Sequence, residues 1–290
     1  MAFSAVLSDR AAIRVSGDDA PHFLHNLITN SVEDLAEGEA AYAALLTPQG
    51  KIISDFLVLR VTGAYLIDVP QARCEEIRKR LTLYKLRAKA AIAVEDVAVA
   101  ALWDTAGSTL ESYADPRLPE LGFRAFLPRA DAKASLKAAG FELRPEADYH
   151  AHRIALGVPE GGKDFAFEDA FPHEADMDQL HGVDFRKGCY VGQEVVSRMQ
   201  HRSTARTRIV PISLSETAEP GTDILAGDKT AGKLGSVSGE RGIALIRIDR
   251  ADDALAKGKP LTAGTAVITP QKPAWARFRF PGEPVPDAAQ

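Results

Sequence analysis

The sequence predicts an α+β fold: a mixed body over residues 1–205, then a β-barrel-like domain over residues 206–290. Three observations lead there. Strand-type runs and stretches at helical spacing alternate through the first two hundred residues. After about Met199 the texture changes to short β-type runs, Arg206–Leu214, Gly232–Ser238, Gly242–Asp249 and Gly264–Thr269, separated by Gly, Pro and Asp. The length of 290 residues is long for one core and short for more than three domains. The body is therefore expected to hold two subdomains, with roughly 97–145 forming part of the second.

The elements follow in order. Ile13–Ser16 reads as a strand. Gly17-Asp18-Asp19 caps a helix with Pro21 near its first turn, where proline loses no hydrogen bond, and Phe23, Leu24, Leu27 and Ile28 form its apolar stripe. Ala40–Leu46 and Lys51–Val61 are strands joined by the turn Thr47-Pro48-Gln49-Gly50. Tyr65–Val69 is a third. Pro70 opens a helix to about Tyr84, with Cys74, Ile77, Leu81 and Tyr84 at helical spacing. Ala88–Val94, Val97–Trp103 and Arg124–Leu127 are strand-like, and Thr105–Pro119 is polar and turn-rich. Asp131–Ala139 is a helix stopped by Gly140, and Tyr149–Leu156 is helical, ending at Gly157 with Pro159 beyond. The tail Pro281–Gln290 holds three prolines and no periodicity, which predicts a loose end.

Composition narrows the function classes. Hydrophobic residues make up 46 %, enough for ordinary packing, and a net charge of −5 argues against a general nucleic-acid coat. Two distant cysteines supply neither a Cys-x-x-Cys pair nor a tetrahedral thiolate site, and the low count predicts a reducing, cytoplasmic compartment. No apolar run approaches the ~20 residues that cross a bilayer, so no membrane partner is expected. The N-terminus has neither a basic-then-apolar leader nor an Arg-rich, acid-free transit pattern, so no export is expected. There is no Gly-x-Ser-x-Gly elbow, no Walker A loop and no His-Glu-x-x-His motif.

Chemistry concentrates in Phe185–Arg198. Cys189 follows Arg186, Lys187 and Gly188, and precedes Gly192, Gln193 and Glu194 at the start of a helix. Cations and a helix N-terminus favour thiolate over thiol, and a neighbouring glycine lets backbone or ligand come close. Cys189 is thus read as a nucleophile, redox group or soft-metal ligand; the ordinary alternative is a small buried hydrophobe. Cys74, on an apolar stripe, takes that core reading. Glu194 and Arg198, at i and i+4, form either a modest surface pair or, with Gln193, a brace for ligand or loop. Arg186, Lys187, Arg198, His201, Arg202, Arg206 and Arg208 form either a solvated face or a site for carboxylates, phosphates or an RNA backbone. His173, Glu174, Asp176, Asp178 and His181 are metal-ligand types whose spacing fits no known site, so they read as an acidic loop. Within them Pro172-His173-Glu174 leads into the cysteine segment.

Lys187-Gly188-Cys189-Tyr190-Val191-Gly192-Gln193-Glu194 resembles the signature of the YgfZ-type folate-binding proteins, relatives of the glycine cleavage T-protein aminomethyltransferase. Gly17-Asp18-Asp19-Ala20, Leu46-Thr47-Pro48-Gln49-Gly50-Lys51, Tyr84-Lys85-Leu86-Arg87, Asp115-Pro116-Arg117, Arg153-Ile154-Ala155-Leu156-Gly157-Val158-Pro159, Pro172-His173-Glu174 and Gly232-Lys233-Leu234-Gly235 resemble further blocks in order. The resemblance covers nearly the whole chain. It implies a multi-domain ring of the T-protein type around a channel that holds tetrahydrofolate. It also implies support of iron–sulfur enzymes, especially those with 4Fe–4S clusters, with an indirect effect on tRNA thiomodification.

On that resemblance Cys189 is the functional thiol, with Lys187 beside it, facing the folate hollow and binding iron or a cluster transiently. Asn30, Arg153, Glu174, Tyr190, Gln193, Glu194 and Arg198 are expected at the folate. One soft ligand cannot hold a cluster, so iron–sulfur assembly proteins, client enzymes or a small thiol would complete it. One departure stands out: the transferases carry a carboxylate where this chain has Ala155, and a methyl group accepts no hydrogen bond from a pterin. Two rival readings are a folate-dependent one-carbon transferase using Asp55, Asp68 or Glu174, and a tRNA-binding module using Arg198, Arg202 and Arg206.

Overall fold

The computed structural model describes residues 1–202, 205–281 and 283. The side chain of Arg202, and the predicted loose tail apart from Pro281 and Glu283, lie outside the described residues. From the N-terminus the chain forms β1 (Phe3–Leu7), β2 (Arg10–Ser16), α1 (Ala20–His25), β3 (Ala40–Leu46), β4 (Ile52–Val61), β5 (Ala64–Pro70), α2 (Cys74–Tyr84), β6 (Ala91–Glu95) and β7 (Val97–Trp103). Next come β8 (Tyr113–Ala114), β9 (Phe123–Pro128), α3 (Ala132–Ala138), β10 (Glu142–Leu143), α4 (Glu146–Ala155) and α5 (Gln193–Arg202). The C-terminal part holds β11 (Thr207–Leu214), β12 (Asp223–Ala226), β13 (Lys229–Ser238), β14 (Arg241–Arg247), α6 (Ile248–Ala256), β15 (Leu261–Ala263) and β16 (Ala266–Pro270).

The first sheet, in the order β3-β4-β5-β2-β6, is antiparallel throughout. Strand alternation sorts its residues onto two faces. Ala41, Ala43 and Leu45 share one face with Ile13, Val15, Tyr65 and Ile67, under Leu24 of α1 and Ile77 and Leu81 of α2. Tyr42, Ala44 and Leu46 point the other way, onto Ile154, Val158, Met177, Leu180, Tyr190 and Val196. Both faces are buried, so β3 and β4 read as near-continuous apolar runs rather than as a polar–apolar alternation. The second sheet, β10-β1-β7-β9-β8, takes four strands from residues 97–143 and its fifth, β1, from the start of the chain. The C-terminal domain is a closed barrel, β11-β14-β13-β12-β15-β16.

Beyond the short strands β8, β10, β12 and β15, which the sequence reading lacks, three departures have a plain physical cause. The β1 strand has no strong apolar alternation and gains its order by pairing with β7. A single turn of 3-10 helix, Gln71–Arg73, follows Pro70, and α2 starts only at Cys74. The run read as a strand to Asp249 ends at Arg247 and turns into α6, whose Ile248, Ala251 and Ala254 pack on the barrel core at helical spacing. No described helix is long and apolar enough to cross a membrane.

Between α4 and α5 the chain runs with little regular structure, yet much of it is buried in the core beneath the first sheet. This stretch joins body and barrel. Ile209 N–H donates to the Glu174 carbonyl at 3.1 Å, and Trp275 Nε1–H donates to the Leu156 carbonyl at 2.9 Å. It also delivers the cysteine loop.

Candidate functional site

Cys189 lies on the connection that enters α5, and its side chain is exposed, whereas Cys74 is buried under the first sheet. The two glycines flanking Cys189 do different work. A Cβ on Gly188 would meet nothing within 4 Å, so Gly188 answers no crowding and leaves open space beside the sulfur. Gly192, at φ +83°, is crowded: a Cβ there would stand 2.6 Å from the Thr47 carbonyl oxygen and 3.1 Å from Gly50 Cα. A Cβ on Gly50, at φ +80°, would in turn meet Val195 Cβ at 2.9 Å. The β3–β4 turn and the cysteine loop therefore interlock glycine against glycine, at positions where both the conformation and the space exclude a side chain.

Lys187 fastens the loop from beneath. Its ammonium donates to the carbonyls of Ile28 at 2.7 Å and Asn30 at 3.0 Å, and to that of His25. It also lies 5.2 Å from the Tyr190 ring, which is buried in the core below the first sheet. Burial lowers the Lys187 amine to about 8, which still leaves it protonated at neutral pH. Asn30 is itself a tie, donating from Nδ2 to the Tyr42 carbonyl at 2.9 Å and the His181 carbonyl at 2.7 Å. The ammonium expected beside the sulfur is engaged by backbone carbonyls instead: its four-carbon stem turns inward to carbonyls at and just beyond the end of α1, so Lys187 positions the loop.

The rest of the signature divides between surface and core. Gln193 opens α5 and is half-buried. Arg198 pairs with Glu194 at 2.6 Å, but the two side chains are 55 % and 84 % exposed, the modest surface pair. Arg186 is exposed, with its N–H donating to Asp184 Oδ1 at 2.8 Å. Among the described residues, members of the basic run are drawn to separate partners. Lys187 goes to carbonyls, Arg198 to Glu194 and Arg208 to Asp176 and Asp178, which weakens the local patch a tRNA reading needs.

Arg208 of β11 organises the histidine–acid stretch. It donates to the His173 carbonyl at 2.7 Å and to Asp178 at 2.6 and 3.0 Å, and reaches Asp176 Oδ1 at 3.3 Å. Asp176 Oδ2 has no hydrogen-bond partner, and burial pushes its carboxyl well up. Glu174 accepts the Phe171 N–H at 2.9 Å; burial raises its carboxyl too. These groups do not converge on one point, as the acidic-loop reading expects. Among the described residues one set of metal-type ligand atoms does converge, Asp9, His150 and Glu160, but the Lys163 ammonium already contacts all three.

A buried charge network went unread in the sequence because the links through Asp68 join residues far apart in the chain. Arg10 donates to Asp68 at 2.6 Å, Arg124 reaches Asp68 at 3.5 Å, and Arg117 holds Asp115 at 2.7 and 2.9 Å. Arg153, expected at the ligand, is consumed as a strut. It donates to Asp164 at 2.7 Å, the Val158 carbonyl at 3.1 Å, and Ser236 of β13 at 2.7 Å, and so ties α4 to the barrel. Asp55 accepts the Tyr42 hydroxyl at 3.0 Å, while its Oδ1 has no partner; burial raises its carboxyl against the pull of Arg10.

Two cavities meet between body and barrel. The larger, about 770 Å³, is walled by Leu118, Ala155, Leu156, Gln179, Trp275 and Arg277 among others. The smaller, about 520 Å³, includes His173, Arg206, Arg208, Phe278 and Arg279. Asp178, Gln179, Gln200 and Arg277 line both, so the two are continuous. Cys189 lines neither, and neither do Asn30, Arg153, Glu174, Tyr190, Gln193, Glu194 or Arg198. The set of residues expected at the ligand is not brought together at these cavities. Its members are spent on backbone carbonyls and carboxylates, packed in the core, or turned to solvent. Ala155 does line the larger cavity, with a methyl group.

Comparison with known proteins follows the same division of the chain. The GCVT N-terminal domain family matches residues 7–103, and the CAF17 C-terminal β-barrel domain family matches residues 206–278. The mitochondrial iron–sulfur cluster assembly factor IBA57 homolog of Pyricularia oryzae is 32 % identical over 294 residues, covering 89 % of this chain and 75 % of that protein. Human mitochondrial iron–sulfur cluster assembly factor IBA57 is 30 % identical over 273 residues, covering 83 % and 76 %. The Neurospora crassa IBA57 homolog is 33 % identical, but the match spans only 53 % of its length. The crystal structure of the glycine cleavage system aminomethyltransferase T from Bartonella henselae superposes with a TM-score of 0.74 over 96 % of this chain and 87 % of that one, at 15 % identity, which shows the fold. The relatives are named as mitochondrial, and this overturns the cytoplasmic expectation. A low cysteine count separates reducing from oxidising surroundings and cannot choose among reducing ones.

Proposed function

We propose that this chain, which belongs to the IBA57 family of iron–sulfur cluster assembly factors, handles a cluster through Cys189 together with ligands from a second protein. The observation that carries this is the exposed thiol on a loop fixed by Lys187 beneath it and by Gly192 against the β3–β4 turn. A thiolate offered on a rigid edge meets a partner's ligands without paying to order its own loop. Cluster irons take thiolate ligands, and one cysteine supplies one of them, so the cluster is a cargo shared across an interface. Fe–S assembly proteins or client enzymes are the partners. In cells lacking the endogenous factor, wild type and Cys74→Ser should restore 4Fe–4S enzyme activity and Cys189→Ser should not. Restoration by Cys189→Ser would remove the thiol from the mechanism.

For the joined cavities the ligand we assign is a folate, tetrahydrofolate in the first instance. The indole of Trp275 with Leu118 and Leu156 offers flat apolar surface for a ring, and Gln179 and Arg277 offer polar groups. Ala155 in the wall removes the carboxylate that the transferases carry there, although Glu120 and Asp178 line the same cavity; we read the ligand as an effector rather than an aminomethyl acceptor. Calorimetric titration with tetrahydrofolate tests this; heats no larger than dilution would reject it. Turnover of an aminomethyl donor to methylene-tetrahydrofolate would instead favour the transferase reading.

A further inference from the structure

We propose that the groove between α1 and the end of α2 docks the protein that completes the cluster, and that this protein presents an apolar side chain set among carboxylates; this rests on the Cys189 reading above. The groove, about 500 Å³, lies between Phe23 of α1, with Leu27 just beyond it, and Tyr84 and Leu86 at the end of α2. It adjoins the cysteine loop. The Lys187 ammonium donates to the carbonyls of His25 and Ile28, and the two residues between these, Asn26 and Leu27, line the groove. Cys189 is two residues from Lys187, at most about 7 Å of chain. A protein bound at the exposed sulfur therefore stands beside this face.

Two further observations define the partner's chemistry. The first is apolar. Leu86 is 86 % exposed, and Leu83, in the last turn of α2, is 70 % exposed. Leu86 stands at φ +45°, a left-handed conformation that leucine rarely takes. The turn around it is tied down. The Ala88 N–H donates to the Lys85 carbonyl at 2.7 Å, Lys85 Nζ to the Ala90 carbonyl at 2.8 Å, and the Lys89 N–H to Asp19 Oδ2 at 2.7 Å. The fold thus holds a leucine outward against its backbone preference, as a docking contact requires. The second is charge. The chain carries −5 overall, yet the groove is lined by two cations, Lys85 and Arg87, and by one carboxylate, Asp19, which already accepts the Lys89 N–H. Arg87 and Lys89 here, and Arg186 on the cysteine loop, are exposed and form no side-chain hydrogen bond or ion pair with the described residues. Exposed leucines among uncompensated cations complement an apolar side chain flanked by Asp or Glu.

The test is the affinity of the full chain for the cluster-loaded assembly protein that shares its cluster with wild type, read by biolayer interferometry for wild type, Leu83→Gln/Leu86→Asn and Arg87→Glu. Gln suits a helix and Asn the left-handed φ, so the leucine variant should melt as wild type does. It is expected to bind about tenfold or more weakly, with the shared-cluster spectrum restored at raised concentration because Cys189 is intact. Arg87→Glu is expected to weaken binding at low salt and to flatten its salt dependence. Wild-type affinity in either variant overturns the docking surface and leaves the Cys189 reading standing. Two other results overturn it by naming another occupant: a wild-type dimer on gel filtration that the leucine variant abolishes gives the face to a second copy, and phosphatidylglycerol vesicles that bind wild type but neither variant give it to a membrane. If no cluster-loaded protein shares its cluster with wild type, the Cys189 reading falls and the docking surface with it.

Discussion

The Lys187 ammonium stands 3.0 Å from the carbonyl oxygen of Asn30, with the carbonyls of Ile28 and His25 sharing the same donor. That contact places the charge two residues before the cysteine inside the protein and leaves the sulfur outside. The segment that carries the exposed thiol is therefore held on one face and open on the other.

Removing the charge should loosen the loop. Lys187→Met deletes the donor for three carbonyls, a loss of about 3 kcal/mol. Hydrogen exchange across residues 185–192 should speed up in the variant, and the urea midpoint should fall. Unchanged protection would mean the loop is held by Gly192 and Tyr190 alone.

The two glycines beside Cys189 should respond oppositely. Gly192→Ala forces a Cβ to within 2.6 Å of Thr47 O at a left-handed φ, and should cost about 2–4 kcal/mol in denaturant titration. Gly188→Ala enters open space and should stay within about 0.5 kcal/mol. Equal effects at both positions would refute the interlock with the β3–β4 turn.

The exposed pair on α5 offers a contrast. Glu194→Gln breaks the 2.6 Å contact with Arg198 in solvent, and should change stability by less than about 1 kcal/mol. A larger loss, or a lost cluster signal with the fold intact, would restore the brace role.

Acid should expose the buried network. Burial pushes Glu160 up, but Arg153, Arg10 and Lys163 outweigh it and hold its carboxyl at about 2, below the ordinary 4.5. A lowered carboxylate stabilises the fold fully above pH 4.5, and that contribution is lost as pH falls toward 2. It is of order 3 kcal/mol. The stability gap between wild type and Glu160→Gln, measured in urea, should be largest near pH 6 and narrow by pH 3.5. A gap constant over that range would assign the loss to packing instead.

Much of the frame was legible because local chemistry fixed it. Ala40–Leu46 and Val97–Trp103 form strands at the expected residues, since each is an apolar run bounded by turn-forming neighbours. Cys189 was legible as an accessible thiol, because charges and glycine suit a surface loop better than a core. The direction of Lys187 was not, because its acceptors lie 157 to 162 residues away. The Arg10–Asp68–Arg124 chain was hidden for the same reason, its partners being 56 and 58 residues apart. Nor does any local pattern show that Arg153 spends its donors on Asp164 and Ser236, or that Arg206 and Arg277 share a cavity.

The central claim is that Cys189 supplies one ligand of a cluster completed by another protein. Visible absorption and electron paramagnetic resonance of the purified chain mixed with a cluster-loaded assembly protein test it directly. Wild type and Cys74→Ser should give a shared-cluster spectrum that co-migrates with both proteins on gel filtration, and Cys189→Ser should give none. The same spectrum and co-migration with Cys189→Ser would contradict the account.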